Sequence, residues 1–312
     1  MKKYLSLFAI LAAACCFTGC MPSPFNILNG SMPVPDYSTS AVTKADMTKV
    51  TNYLWFGTND LLISANYNNQ PCITSDGTNL WLATGGKIGH YTLTGTAVTS
   101  YTYSFASGAL VSGSSSTYIK GLAWSKASNL LYAAFSDFSD RIYTINPATG
   151  TSNAMLSKPK YAVSCLSVDD SGFWTGFDYE FSSIIKHDDY TIFTYGMAKT
   201  GFDGKLITYY NAGRSAVYGN VITGNYMYVA QAEPLNTSAS SGWSSSSDIT
   251  VKVMKINLAT GAYEKSLSFP INTTASGTSI LASFCGLPNG HFLFLYKVTG
   301  SADPAVLVEV AE

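Results

Sequence analysis

Six acidic residues fall in two short stretches, Asp137 and Asp140, then Asp178, Glu180, Asp188 and Asp189. Carboxylates gathered on one rim could bind Ca²⁺ or a polar ligand through oxygen, or do acid–base work at the mouth of a channel. Their spacing is not that of an EF-hand loop, so by themselves they read as solvated loop acids. The three histidines, His90, His187 and His291, stand apart from one another. There is no HExxH and no paired CxxC, the arrangements typical of a dedicated transition-metal site. A G-x-S-x-G elbow and a Walker loop are also missing. The serine runs Ser112 to Ser116 and Ser244 to Ser247 have the composition of loops. No catalytic, cofactor-binding or metal-binding residue is therefore assigned, and no cofactor is expected.

One residue does carry a chemical expectation. Lys2 and Lys3 precede an apolar stretch from Tyr4 to Phe17, which ends in Phe17-Thr18-Gly19-Cys20. The stretch is too short to span a bilayer comfortably, and it has the layout of a secretory leader. Thr18, Gly19 and Cys20 resemble a bacterial lipobox, with Phe17 where Leu is usual. That resemblance implies cleavage before Cys20 and acylation of its thiol and new amino group. Residues 1–19 are then a lipoprotein signal peptide. Residues 20–46, with Pro22, Pro24, Pro33 and Pro35 among Ser, Asn, Gly and Thr, read as a flexible tether. Met21 after the cysteine points to the outer membrane or cell surface in enterobacteria-like sorting.

Charged residues make up only 12% of the chain, with Ser, Thr, Asn, Gly and Tyr in their place, a balance that favours strands. Loss of Lys2 and Lys3 with the leader moves the net charge from −1 to −3. A mildly acidic chain with two arginines, Arg141 and Arg214, has no basic patch for phosphates, which argues against nucleic acid as a partner.

The elements that must position any site emerge from a repeat. Five segments align: Cys72 to Trp81, Ala123 to Tyr132, Cys165 to Trp174, Gly219 to Tyr228 and Cys285 to Phe294. Each starts on a small residue, crosses a polar turn and ends on an aromatic in a second apolar run. This predicts strand, tight turn, strand. A further turn recurs at Gly95, Gly150 and Gly261, where glycine supplies the positive φ of the reversal. Units of three or four strands recurring every 40–50 residues or so define a β-propeller. The expected fold is all-β, a propeller of about five to seven blades over residues 47–312, with five units visible. The first strand of each unit should line the channel, and Cys72, Cys165 and Cys285 should be small packing residues at equivalent places. Tyr53 to Phe56 and Leu61 to Asn66 also read as strands, and an N-terminal strand should complete the last blade, whose own unit shows only about three, and protect its edge.

The turns Ile145-Asn-Pro-Ala-Thr-Gly150 and Ile256-Asn-Leu-Ala-Thr-Gly261 resemble the I-D-x-x-T-G blade ends of quinoprotein-like and YVTN-type propellers, with Asn146 and Asn257 in place of Asp. The resemblance implies the architecture. The docking tryptophans of quinoprotein repeats are missing, so no quinone is implied. Ser167 to Trp174 is close to the Asp-box of sialidase-like propellers, but two arginines cannot form a sialidase triad, so Asp169 is read as a turn former. The function expected is an envelope-anchored, non-catalytic scaffold. Its partners would be membrane lipid through Cys20 and an envelope protein or glycan. The alternative is an envelope hydrolase or lyase with an acidic site at the channel mouth. Exposed aromatics such as Tyr101, Tyr103, Tyr209 and Tyr210 would suit either ligand class.

Overall fold

The computed structural model describes residues 43–50, 54–56, 71–84, 87–99, 119–135, 141–157, 163–177, 195–213, 217–232, 248–260, 262–272, 279–298 and 305–312. Among these residues every regular element is a strand. Three lie near the start: β1 (Thr43–Asp46), β2 (Thr48–Lys49) and β3 (Leu54–Phe56). The first blade is β4 (Cys72–Ser75), β5 (Asn79–Thr84), β6 (Lys87–Thr92) and β7 (Ala97–Thr99). The second is β8 (Ile119–Ser125), β9 (Leu130–Phe135), β10 (Arg141–Ile145) and β11 (Ser152–Ser157). The third is β12 (Val163–Asp169), β13 (Gly172–Phe177), β14 (Tyr195–Gly201) and β15 (Leu206–Gly213). The fourth is β16 (Val217–Thr223), β17 (Tyr226–Ala232), β18 (Asp248–Asn257) and β19 (Tyr263–Asn272), and the fifth is β20 (Ser279–Gly286), β21 (Phe292–Val298) and β22 (Ala305–Ala311).

Each blade is an antiparallel meander, and its first strand is innermost. The inner strands β4, β8, β12, β16 and β20 touch in that order, and β20 touches β4, so the ring closes. The chain is therefore a five-bladed β-propeller. The core is divided among the blade interfaces: five buried clusters, one between each pair of neighbours, hold the apolar side chains. A strand buried on both faces contributes to the clusters before and after it in turn, which is the alternation seen along β5. Leu80 and Leu82 face the fifth blade while Trp81 faces the second.

The N-terminal segment closes the outer rim. β2 and β3 pair antiparallel with β22, completing the fifth blade as expected of an N-terminal strand. β1, within the span read as a tether, pairs in parallel with β19 at the outer edge of the fourth blade. Between β1 and β2 the Met47 side chain is buried in the cluster between the fourth and fifth blades. β1, Met47, β2 and β3 thus strap two blades together and cover both of their outer edges.

Candidate functional site

The turns after the inner strands set the register of everything below them. In the first blade Thr74 lies opposite Trp81. The same position is Ala123 opposite Tyr132, Ser167 opposite Trp174 and Val221 opposite Tyr228. In the fifth blade it is Cys285 opposite Leu293, because the turn closed by Leu287 and His291 is one residue longer than that at Asp76 and Asn79. Two sequence expectations are corrected here. Trp81, Tyr132, Trp174 and Tyr228 are equivalent, but the fifth member is Leu293, and Phe294 faces the preceding blade. Cys72 and Cys165 are equivalent, but Cys285, like Ala123, stands two positions further along its strand. A single extra turn residue shifts the side-chain parity, and the aromatic-to-small spacing hides the shift.

With that register the channel is a stack of layers, one residue per blade. The layer at the small space of about 10 Å³ that forms the throat is Cys72, Gly121, Cys165, Gly219 and Ser283. Gly121 is obligatory there: a Cβ would sit 2.5 Å from the Leu166 Cβ of the next inner strand. Four inner strands also shift register near this level, at Ile119/Gly121, Val163/Leu166, Val217/Gly219 and Leu281/Ser283. These bulges add the twist that brings five strands to one axis. Hydroxyls stitch neighbouring inner strands. Ser283 Oγ accepts from Ile73 N at 3.1 Å, and Thr74 Oγ1 accepts from Trp124 N at 3.1 Å. The Asn220 amide donates to Ser167 Oγ.

Above the throat, on the side of these turns, the channel widens into a funnel of about 810 Å³ to which all five blades contribute. Its next layer inward is Ile73, Leu122, Leu166, Asn220 and Phe284, apolar except for Asn220. Asn220 is only 5% exposed, and its Oδ1 has no hydrogen-bond partner among the described residues. Asn220 lines both the funnel and the narrow space of about 10 Å³ beneath it. The mouth carries Ser75, Trp124, Val168, Ile222 and Gly286. The Trp124 ring is stacked on Trp81 at 5.2 Å and 6°, and Trp81 is stacked on His90 at 4.9 Å and 8°. Burial pushes His90 below its ordinary value, against a smaller opposing pull from Asp76.

The charged groups at this end are mostly occupied. Asp76 Oδ1 accepts from Thr78 N at 2.7 Å and Asn79 N at 2.6 Å, and Oδ2 accepts from Asn79 Nδ2 at 3.1 Å, so this carboxylate builds its turn. Asp169 does the same in the third blade, accepting from Ser171 N and Gly172 N and also from Trp174 Nε1 and Lys199 Nζ. Burial alone would raise Asp169, but hydrogen bonds from Lys199, Ser171 and Trp174 outweigh it and hold the carboxyl below its usual range. His291 Nδ1 lies 2.7 Å from Glu309 Oε1 beside Asn289. Lys126, exposed on the longer turn of the second blade, is the other charged residue lining the funnel.

Cys72, Cys165 and Cys285 are buried, and among the described residues they form no disulfide. Desolvation pushes Cys72 and Cys285 up to about 12, which keeps them protonated and unreactive at neutral pH. The described residues hold no group of three or more His, Cys, Asp or Glu that could bind a metal ion. They also hold no helix long and apolar enough to cross a membrane. Cys20, the segment Leu61 to Asn66, His187, Tyr101, Tyr103 and the acids Asp137, Asp140, Asp178, Glu180, Asp188 and Asp189 lie outside the described residues. Tyr209 and Tyr210 lie on β15, the outer edge of the third blade. Sequence reasoning missed Trp124 and Asn220. Counting back from each turn, rather than from the aromatic, would have placed both on the channel.

No family model matches the chain, and no curated protein matches it. Among solved structures it is similar to the glutaminyl cyclase of Myxococcus xanthus, at 12% identity and a TM-score of 0.51, over 87% of this chain and all of that one. It is also similar to the WD40 propeller domain of Doa1, at 10% identity and a TM-score of 0.43, over 85% of this chain and 97% of that one. A protein of unknown function from Bacteroides caccae aligns at 8% identity and a TM-score of 0.42, over 73% of this chain and 77% of that one. Likeness at such identity speaks to the fold alone.

Proposed function

We propose that this chain is a lipid-anchored protein of the bacterial envelope whose propeller is a non-catalytic binding scaffold for a protein or glycan partner. The observation that carries the reading is the funnel. It is a concavity of about 810 Å³ framed by short turns on rigid inner strands and lined by hydroxyls, two amides and a tryptophan among apolar side chains. Its size falls within the range of ligand pockets, and a mixed lining with a few convergent polar groups suits recognition. Its acid, Asp76, is spent on the turn, so the funnel binds by shape, stacking and hydrogen bonding.

The anchoring half of the proposal rests on Lys2, Lys3, the apolar run and Cys20. A tether from Cys20 would reach the propeller at β1, on the outer rim of the fourth blade, and leave the funnel open to a partner. Cross-linking and mass spectrometry on intact cells, comparing the native chain with Cys20→Ala, tests both halves. The expected result is acyl labelling and a stoichiometric partner in the native form, with labelling lost and the protein released from membrane in the variant. Equal membrane retention and labelling in both forms refute the anchor. Lack of any partner for the native form refutes the scaffold.

A further inference from the structure

We propose that the funnel is a site for neutral hexopyranose units, with Trp124 as the stacking plate. This rests on the scaffold reading and names its ligand. A pyranose ring has an apolar C–H face and a rim of hydroxyls that both donate and accept. Trp124 offers the matching apolar plate, and its ring is held by the stack on Trp81 rather than free to rotate. Around it stand groups that pair with hydroxyls in either sense: Asn129 on the second blade, Ser167 on the third and Thr223 on the fourth. Deeper in, the Asn220 amide spends its N–H on Ser167, and its oxygen has no partner among the described residues. Turning the amide over only exchanges which of its two polar atoms is left. A buried amide in that state favours a hydrogen-bonding group arriving from the funnel.

Charge argues for a neutral ligand. Of the two charged residues on the lining, Asp76 is committed to its turn, and Lys126 sits at the exposed rim. An anion would need more than one solvated lysine, and a cation would find no free carboxylate there. A bound peptide strand would need a long open sheet edge to pair with. The funnel instead offers five short turns in a ring, narrowed between the first and fifth blades where Gly77 abuts Pro288.

The test uses the mature chain and soluble neutral hexasaccharides of glucose, mannose and N-acetylglucosamine. Binding is followed by tryptophan fluorescence and by calorimetry. At least one probe should bind saturably, with affinity insensitive to salt. Trp124→Ala should weaken it about tenfold or more, while Trp124→Phe, which keeps an aromatic plate, should retain most of it. Trp124→Ala could also loosen the blade, so two surface variants serve as controls of fold. Thr223→Val is nearly isosteric, and Asn129→Gly suits a backbone already at φ 52°. Both should weaken binding at unchanged melting temperature. Failure of all three probes to bind overturns the inference, as does binding that Trp124→Ala, Thr223→Val and Asn129→Gly leave unchanged. A partner still captured from cells in either case leaves the scaffold reading standing, so the two failures are distinguishable.

Discussion

At the scale of single residues, the large aromatics and the turn carboxylates contribute in different ways. Trp81 and Trp174 are each 2% exposed and fill the interface to the following blade. Truncation to alanine should cost about 3–5 kcal/mol, read as a shift in denaturant midpoint. An unchanged midpoint would mean the ring is not packed as described. Asp169 contributes through charge. Its carboxyl lies below its ordinary value of 3.8 in the folded chain, so its contribution is fully present above that pH and is lost as pH falls through the lower folded value. Asp169→Asn should therefore lower the melting temperature near neutral pH, and the gap to the native chain should close in strong acid. A gap constant from neutral to acid would show that the carboxylate's charge, and its 2.7 Å pair with Lys199, contribute nothing. Asn146 and Asn257 show the reverse economy. Their Oδ1 atoms accept from Ala148 N and from Ala259 N and Thr260 N, so an amide performs the turn role without a charge.

At the scale of elements, the strap is the part most exposed to test. Met47 is 5% exposed between the fourth and fifth blades, and the backbone beside it is fixed by Met47 N to Ser268 O at 2.7 Å and Val50 N to Glu309 O at 2.9 Å. Met47→Ala should cost about 2–5 kcal/mol, and limited proteolysis should then cut first near residues 43–50. Native resistance at those bonds would show that the strap is not anchored by this side chain. The strands, the five units and the innermost place of each first strand were all legible in the repeat, because alternation and polar turns are local signals. That an N-terminal strand closes the fifth blade was legible too, from a last unit with only about three strands of its own and an apolar run at Tyr53 to Phe56. β1 was not, since Thr43-Lys-Ala-Asp46 has no apolar pattern; it is held by main-chain pairing to β19 and by Ser268 Oγ donating to Asp46 at 2.7 Å. The equivalence of Cys285 and Phe294 was misread for the opposite reason, a strong local motif carried across a turn one residue longer. The funnel was hidden because Trp124 and Asn220 come together only when five strands share an axis.

At the scale of the molecule, what distinguishes a closed ring from a row of blades is the interface between the first blade and the fifth. Chain connectivity does nothing to keep β4 against β20; that junction is made by the cluster containing Ile73, Leu80, Leu82, Cys285, Leu293 and Leu295, and by Ser283 Oγ accepting from Ile73 N. An open row of repeats would unfold by nearest-neighbour steps, with its end units fraying first. A ring has no end, so loss at any interface is felt by all the blades. Ser283→Ala removes the hydroxyl and leaves the buried Ile73 N–H without its acceptor, at a cost of about 1–3 kcal/mol. Because the junction closes the ring, that cost should lower a single cooperative transition. Circular dichroism, which follows all the blades, and tryptophan fluorescence, which follows Trp81, Trp124 and Trp174 on the first three and Trp55 on β3 of the fifth, should shift together. If the two probes separated in the variant, the blades would be melting as a row, and the junction between β4 and β20 would be a contact rather than a closure.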